Sequence, residues 1–295
     1  MATLRELKGR IGSVASSEKI TGAMKMISSA KMHKAEGALR RLVPFRSQVQ
    51  TIIANLLSSD ADFSSPLILD RPVQNVAVVV WGSDDGLCGA YNVNIFKVLL
   101  NHFKELRERY GAQTRLTVIP VGSKMTKNVS KLIDIEVEKV EGIDSKSDGQ
   151  KVVDFTLKLQ QDFLDKKFDK VDVVYMNFKS VSRQRPVSTQ LLPVVQSTFV
   201  DQAKGAKAGS LRPYLFEPSP ERIFNTVLPM YLMATTQEIF TQNRASESAA
   251  RVMAMQSAND NAKKLLDQLQ LEYNKLRQQS ITTELLDIVG GQVKE

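Results

Sequence analysis

Cysteine and histidine are nearly absent from this chain of 295 residues: Cys88, His33 and His102 are the full set. A single thiol cannot close an internal disulfide, and two histidines outside any metal-ligand spacing remove the common zinc patterns. Neither a GxGxxG fingerprint nor a GxxxxGK[ST] phosphate loop occurs anywhere in the chain. No Ser/His/Asp set, Cys/His pair or convergent pair of carboxylates can be assembled from the pattern, so there is no candidate catalytic constellation. The longest apolar runs, such as 76–81, fall far short of the ~20 residues needed to cross a bilayer, and no secretory signal is evident. The expectation is a soluble chain that works by contact, with no metal and no cofactor.

Helix breakers are also absent where it matters most. Residues 230–289 contain no proline and no glycine, with Pro229 before them and Gly290 and Gly291 after. At ~1.5 Å per residue, an unbroken helix of that length would approach ~90 Å, too long for a 295-residue chain to bury within itself. Its apolar residues recur in steps of three and four: Ala258, Ala262, Leu265, Leu269, Tyr273, Leu276, Ile281, Leu285 and Ile288. This is a heptad-like stripe that asks for one partner helix. The earlier part, with Ala245, Ala249, Ala250, Val252, Met253 and Met255, is built for close and adaptable packing. A plain core helix of a bundle would carry the same stripe.

The partner candidate lies at the other end. Leu4, Leu7, Ile11, Val14, Ile20, Met24 and Ile27, then Ala35, Ala38, Leu42, Phe45, Val49, Ile52 and Leu56, repeat the same steps. Two terminal helices that each need a one-sided partner pair most simply antiparallel, leaving the middle of the chain to fold as a separate lobe. Pro44 predicts a kink or break. Gly9, Gly12, Gly22 and Gly37 each weaken the helix by up to ~1 kcal/mol relative to Ala. Residues 1–50 carry ten Lys or Arg against three Glu, a net +7 of the chain's formal +8. Such a basic helix suits nucleic acid, a mitochondrial presequence, an acidic protein partner or plain solvation. Without aromatic residues among the charges before Phe45, nucleic acid is the poorer fit.

The middle reads as α/β. The run 75–81 has the pattern of a buried strand, a helix is expected over 93–110, and a second strand over 116–121. A helix at 125–132, a short strand at 135–140, a helix at 152–163, a strand at 171–178 and an edge strand at 187–195 complete the alternation. Strand–helix–strand order predicts a doubly wound, Rossmann-like lobe with right-handed crossovers. Gly205, Gly209, Pro213, Pro218 and Pro220 mark a loop back to the long helix. The expected organisation is a coiled-coil helix over 1–57, an α/β lobe over 73–200, and a second coiled-coil helix over 221–290.

One loop has the look of a site. SDDGLCGAYN, residues 83–92, follows the first strand and precedes a helix, where a dinucleotide fold holds its pyrophosphate. Gly86 and Gly89 have the wrong spacing for that fingerprint, so the glycines read more simply as permitting a tight, exposed binding loop. Asp84 and Asp85 are adjacent, and their side chains should diverge. A nucleotide-binding regulator with a coiled-coil dimerisation arm remains the alternative from another class, and a nucleic-acid adaptor a third.

Four segments together carry a resemblance over essentially the whole chain: EKITGAMKMISSAKMHKAE from Glu18, SDDGLCGAYN from Ser83, YLFEPSPERIF from Tyr214, and RVMAMQSANDNAKKLLDQLQLEYNKLRQQSITTELLDIVGG from Arg251. The chain resembles the gamma subunit family of the F-type ATP synthase. The resemblance implies a long antiparallel coiled coil of the terminal helices, seated in a ring of three alpha and three beta subunits. It implies an α/β lobe toward the membrane, where an epsilon subunit and a c ring complete the rotor. The implied function is coupling of transmembrane ion flow to ATP synthesis or hydrolysis on the beta subunits, by rotation and without bond chemistry of its own. Membrane association would run only through the c ring, on the cytoplasmic face of a bacterial inner membrane or the matrix side of an organellar one.

Residue by residue, the resemblance implies that Met24 and Lys25 face an acidic moving loop of beta. Arg277, Gln278 and Thr282 fall in the RQxSIT pattern, which is similar to the upper catch on beta. Asp84, Gly86, Leu87 and Cys88 match an exposed loop approaching beta from the side. Tyr214 and Glu217 match the foot, where the shaft meets the c ring and epsilon. The chain departs from the family in two places: Asp85 stands where a basic residue is usual, and Gly22 where a Lys is common. With Cys88 alone, the thiol control of plastid members is not expected.

Overall fold

The computed structural model describes residues 3–57, 63–195, 199 and 216–292. Helix α1 spans Leu4–Leu57. It opens on a reciprocal cap: the Glu6 amide donates to Thr3 Oγ1 at 3.2 Å and the Thr3 amide to Glu6 Oε2 at 2.9 Å. Helix α5 spans Pro220–Gln292, 73 residues, with proline at its first position, where the missing N–H is not needed. Both helices run through an internal proline, Pro44 in α1 and Pro229 in α5. The break expected at Pro44 is not there, and α5 begins well before Pro229. Each proline deprives the carbonyl four residues earlier of its donor, at a cost of roughly 3 kcal/mol. Burial offsets that cost, because Val49, Ile53 and Leu56 on one helix and Phe224, Leu228 and Leu232 on the other sit in the main core.

Between them lie β1 (Asn75–Trp81), α2 (Tyr91–Tyr110), β2 (Arg115–Val121), α3 (Ser123–Val129), β3 (Glu136–Val137), α4 (Gly149–Leu164), β4 (Lys170–Ser180) and β5 (Arg183–Leu192). β3 is shorter than its apolar run suggests, and β5 begins four residues earlier than expected and stops at Leu192. The sheet order is β3-β2-β1-β4-β5, with β1 parallel to β2 and β4, β2 parallel to β3, and β5 antiparallel at the edge. The fold class is mixed α/β, as the strand–helix alternation predicts. From β1 the chain steps outward through α2 and α3 to β3. α4 then carries it back to the other side of β1, so the order reverses between β1 and β4.

Strand alternation sorts the core into two layers. Val76, Val78 and Val80 face α2 and α3, where Ile95, Leu99, Phe103, Met125 and Val129 are buried. Ala77, Val79 and Trp81 face α4 and parts of both terminal helices, and Trp81 packs edge-on to Phe155 with ring centroids 5.9 Å apart. The chain forms two compact units: Met1–Ser29 with Arg251–Glu295, and Ala30–Ala250. The larger unit therefore contains the lobe together with the inner stretches of both long helices.

Candidate functional site

In an open α/β sheet, ligands bind beyond the carboxyl ends of the strands where the strand order reverses. Here that crevice lies beyond β1 and β4, and the chain's own helix fills it. Asn243 of α5, 1% exposed, accepts from the Tyr91 hydroxyl at 2.7 Å and from the Met176 amide at 3.3 Å through Oδ1, and donates to the Gly82 carbonyl at 3.3 Å. One turn on, Ser246 donates to the Met176 carbonyl at 3.1 Å, and Ala245 and Ala249 are fully buried beside it. Their small side chains let the helix lie close over the strand ends. An Asn amide bonded through both its oxygen and its nitrogen inside the protein holds the helix to the sheet, in the place where a nucleotide-binding fold would hold its ligand. The sequence reading missed Asn243, Tyr91 and Gly82.

Backbone crowding sets the loop that leaves β1. A Cβ on Gly82 would fall 2.4 Å from Met125 Cβ, and one on Gly122, at φ +99°, would fall 3.0 Å from the Gly82 and Ser83 carbonyl carbons. Two chain crossings therefore share a space that only glycine leaves open. Beyond this point, Asp84 and Asp85 diverge as their adjacency predicts. Asp84 accepts the Ser123 amide at 2.7 Å and the Ser145 amide at 2.8 Å. Burial pushes its carboxyl up, but those amides and the Lys146 charge together hold it below the ordinary carboxylate range. Asp85 faces outward and pairs with Lys146 Nζ at 3.0 Å, and this bond holds the lysine's pKa above its usual value. The negative charge of Asp85 is thus matched within the chain.

Fastened this way, the loop presents Leu87, 59% exposed at φ +63°. A leucine in the left-handed region persists only where its surroundings impose it, and the Asp84 bonds on one side and α2 on the other do so. Gly86 is half-buried near Lys124. Cys88 is buried, its thiol 3.8 Å from Ser83 Oγ and 3.7 Å from Asn92 Nδ2. Of the loop residues the resemblance singles out, Leu87 alone stands fully out.

Lower on the lobe, the inner stretches of α1 and α5 are joined by an ion pair of Arg46 with Glu238. Gln50 accepts from Arg46 at 2.9 Å and Gln242 donates to Glu238 at 2.8 Å. Burial alone would lower the Arg46 pKa, and the Glu238 carboxylate more than restores it.

In the smaller unit, the two helix segments run antiparallel. Asn259 donates to the Glu18 carbonyl at 2.7 Å and to Thr21 Oγ1 at 3.2 Å. The seam of α1 there is Leu7, Ile11, Val14, Glu18, Thr21, Lys25 and Ser28, a regular heptad with a polar second half. Ile20 and Ile27, expected in the stripe, are exposed instead, 59% and 57%. An apolar-only count rotated the seam, because Thr21 and Ser28 occupy it. On α5 the inward positions are Met255, Asn259, Ala262, Leu266, Leu269, Tyr273 and Leu276, so Leu266 replaces Leu265. Gly22 lies against Asn259, where a Cβ would sit 3.4 Å from its Nδ2.

This register also limits the pairing. Leu4 lies 17 residues before Thr21, which places it opposite Leu276, 17 residues after Asn259. Ile281, Leu285, Leu286, Ile288 and Val289 lie beyond the end of α1 and are all exposed. Arg277, Gln278 and Thr282 are exposed on the same overhang, with the Thr282 hydroxyl donating to the Gln278 carbonyl at 2.8 Å. Met24 and Lys25 are half-buried, Lys25 on the seam itself. Glu217 is exposed in the turn before α5, next to a Phe216 packed on the core. Tyr214 lies outside the described residues.

Among the described residues no cluster of His, Cys, Asp or Glu could hold a metal ion, and no helix is long and apolar enough to cross a membrane. The family profile described as ATP synthase matches residues 3–293. The ATP synthase gamma chain of Bacteroides fragilis is 40% identical over 294 residues, 99% of each chain. That of Bacteroides thetaiotaomicron is 38% identical over the full length of both, and that of Nitrosomonas eutropha 32% over 99% of each. Two solved assemblies contain a similar fold. One is the Euglena gracilis mitochondrial ATP synthase (OSCP, F1 and c ring), with a TM-score of 0.64, 19% identity, and 98% of this chain and 93% of that one covered. The other is the central stalk and c ring of the Tetrahymena thermophila enzyme, with a TM-score of 0.55, 21% identity, and 81% of this chain and 99% of that one covered.

Proposed function

The chain belongs to the ATP synthase gamma-chain family, and we propose that it is the central rotor shaft, turning inside a ring of three alpha and three beta subunits. The observation that carries this reading is the exposed apolar overhang of α5 beyond the start of α1, an unfilled helical surface at the end of a paired shaft. A ring of other chains gives that surface its cover. Arg277, Gln278 and Thr282, on the same overhang, supply polar contacts to beta. Met24 and Lys25 contribute a second contact from the side of α1, and Asp84, Gly86, Leu87 and Cys88 a third, in which Leu87 is the touching group. At the other end Tyr214 and Glu217 meet the c ring and an epsilon subunit, so the chain is peripheral to the membrane, on the cytoplasmic face in a bacterium.

The mechanism follows from asymmetry. A shaft whose sides differ makes different contacts with each beta subunit at any angle, and those differences shift the nucleotide affinity of each in turn. Torque needs a shaft fastened to its base. Asn243 and the Arg46–Glu238 pair fasten α5 and α1 within the lobe, so that rotation of the lobe is passed to the helices. The filled strand-end crevice counts against the nucleotide-binding alternative. Reconstitution tests the proposal: alpha and beta subunits should show cooperative ATP turnover with this chain and not without it. Equal turnover in its absence would refute the rotor role, and tight ATP or NAD binding by the isolated chain in equilibrium dialysis would favour the regulator.

A further inference from the structure

The hairpin joining β4 and β5 carries three positive charges that no carboxylate among the described residues neutralises. β4 pairs with β1 only as far as Val174 and then continues six residues to Ser180, a distance of ~20 Å. Together with β5 it forms a two-stranded arm past the end of the parallel sheet. The arm closes tightly, with Ser180 opposite Arg183 across a two-residue turn and the Gln184 side chain donating to the Val181 carbonyl at 2.8 Å. Its tip bears Lys179, Arg183 and Arg185, all exposed. No acidic residue occurs in the sequence between Asp172 and Asp201.

Several other cations of the lobe have carboxylate partners: Arg71 with Asp169, Lys146 with Asp85, Lys167 with Glu138, and Lys170 with Asp172. Among the described residues no carboxylate pairs with the three at the tip. Arg185 lies opposite Asn177 and Arg183 opposite Ser180, so the two guanidinium groups share one face of the ribbon, ~7 Å apart along the strand. Lys179 occupies the irregularity between Phe178 and Ser180, outside the ladder.

Charges on an edge strand commonly serve to discourage pairing with another sheet. That role would spread them along the strand, yet the rest of the β5 edge, Val187 to Gln190, is uncharged. Two forked, planar donors on one face match the geometry of carboxylates. We infer that the β4–β5 tip is a docking prong for a carboxylate-rich segment of another subunit in the assembled enzyme. This rests on the rotor reading, and it adds a contact separate from the glycine loop and both ends of the shaft. At low ionic strength the contact steers and holds the partner, and salt weakens it.

The test uses the complex of this chain with its alpha, beta and epsilon partners. Carbodiimide, which condenses an amine with a carboxylate to an amide, should join Lys179 to an Asp or Glu of a partner subunit, located by mass spectrometry. R183E/R185E should reduce that product several-fold and slow ATP turnover at low salt, with the difference from the unaltered complex closing as salt rises. K179Q must abolish the product without loss of assembly. An assembled complex with no Lys179 adduct, or equal turnover of R183E/R185E at every salt concentration, overturns the prong. So does hairpin-dependent binding of the complex to phosphatidylglycerol vesicles in place of the adduct, since that assigns the tip to lipid. Failure of the unaltered chain to assemble would instead refute the rotor reading beneath it.

Discussion

At the scale of single residues, the loop after β1 depends on Asp84. Its folded pKa lies below the unfolded value, so its bonds stabilise the protein above the ordinary carboxylate pKa of about 3.8 and lose that effect as pH falls through the folded value. Asp84→Asn should therefore cost about 1 to 2 kcal/mol at pH 7 and flatten the stability profile below pH 4, as measured by urea unfolding across an acid series. Gly22 presents the opposite case. An Ala Cβ there would rest in ordinary contact with Asn259, while the helix gains up to ~1 kcal/mol of propensity. Gly22→Ala should raise the thermal midpoint, and a fall would show that Asn259 cannot give way by a few tenths of an ångström. The pairing of Asp85 with Lys146 was not legible in the sequence, because that partner lies 61 residues on, in a loop of no periodicity.

At the scale of elements, most of the fold was legible. β1 and β2 announce themselves as runs of Val and Ile, and α2 and α4 by their one-sided spacing. The misreadings share a physical cause: small and polar residues take inward positions that apolar counting assigns to others. Thr21 and Ser28 rotate the seam of α1 away from Ile20 and Ile27, and Leu266 displaces Leu265. The prolines misled in the other direction, since burial of the surrounding turns outweighs a lost hydrogen bond. Asn243 is the strongest instance, a polar residue on a long helix that reads as solvated and is in fact the fastening of α5 to the sheet. Asn243→Ala would take the side-chain acceptor from the Met176 amide and the side-chain donor from the Gly82 carbonyl, while the Tyr91 hydroxyl keeps its 3.1 Å bond to the residue-243 backbone carbonyl. It should cost about 2 to 4 kcal/mol, seen as a lowered urea midpoint. In the reconstituted enzyme it should reduce coupled turnover more than Asn259→Ala does, if α5 is driven from the lobe.

At the scale of the whole molecule, stability and function depend on different parts. Truncation after Ser280 removes a stretch in which Ile281, Leu285, Leu286, Ile288 and Val289 are all exposed, so the thermal midpoint of the isolated chain should stay where it is. The reconstituted complex should lose turnover or assemble less well, and unchanged activity would assign the bearing surface elsewhere. The candidate site was legible only as far as family motifs carried it, because surfaces that act on other chains leave no mark on the periodicity of their own. The overhang has one more consequence. A rod whose cross-section falls from two helices to one does not twist evenly under load. The doubled portion resists, and the lone helix beyond Leu276 takes up more angle for the same torque. The tip of α5 is therefore the compliant end of the shaft, a spring in series with a stiffer stem, and it yields first when the ring around it holds still.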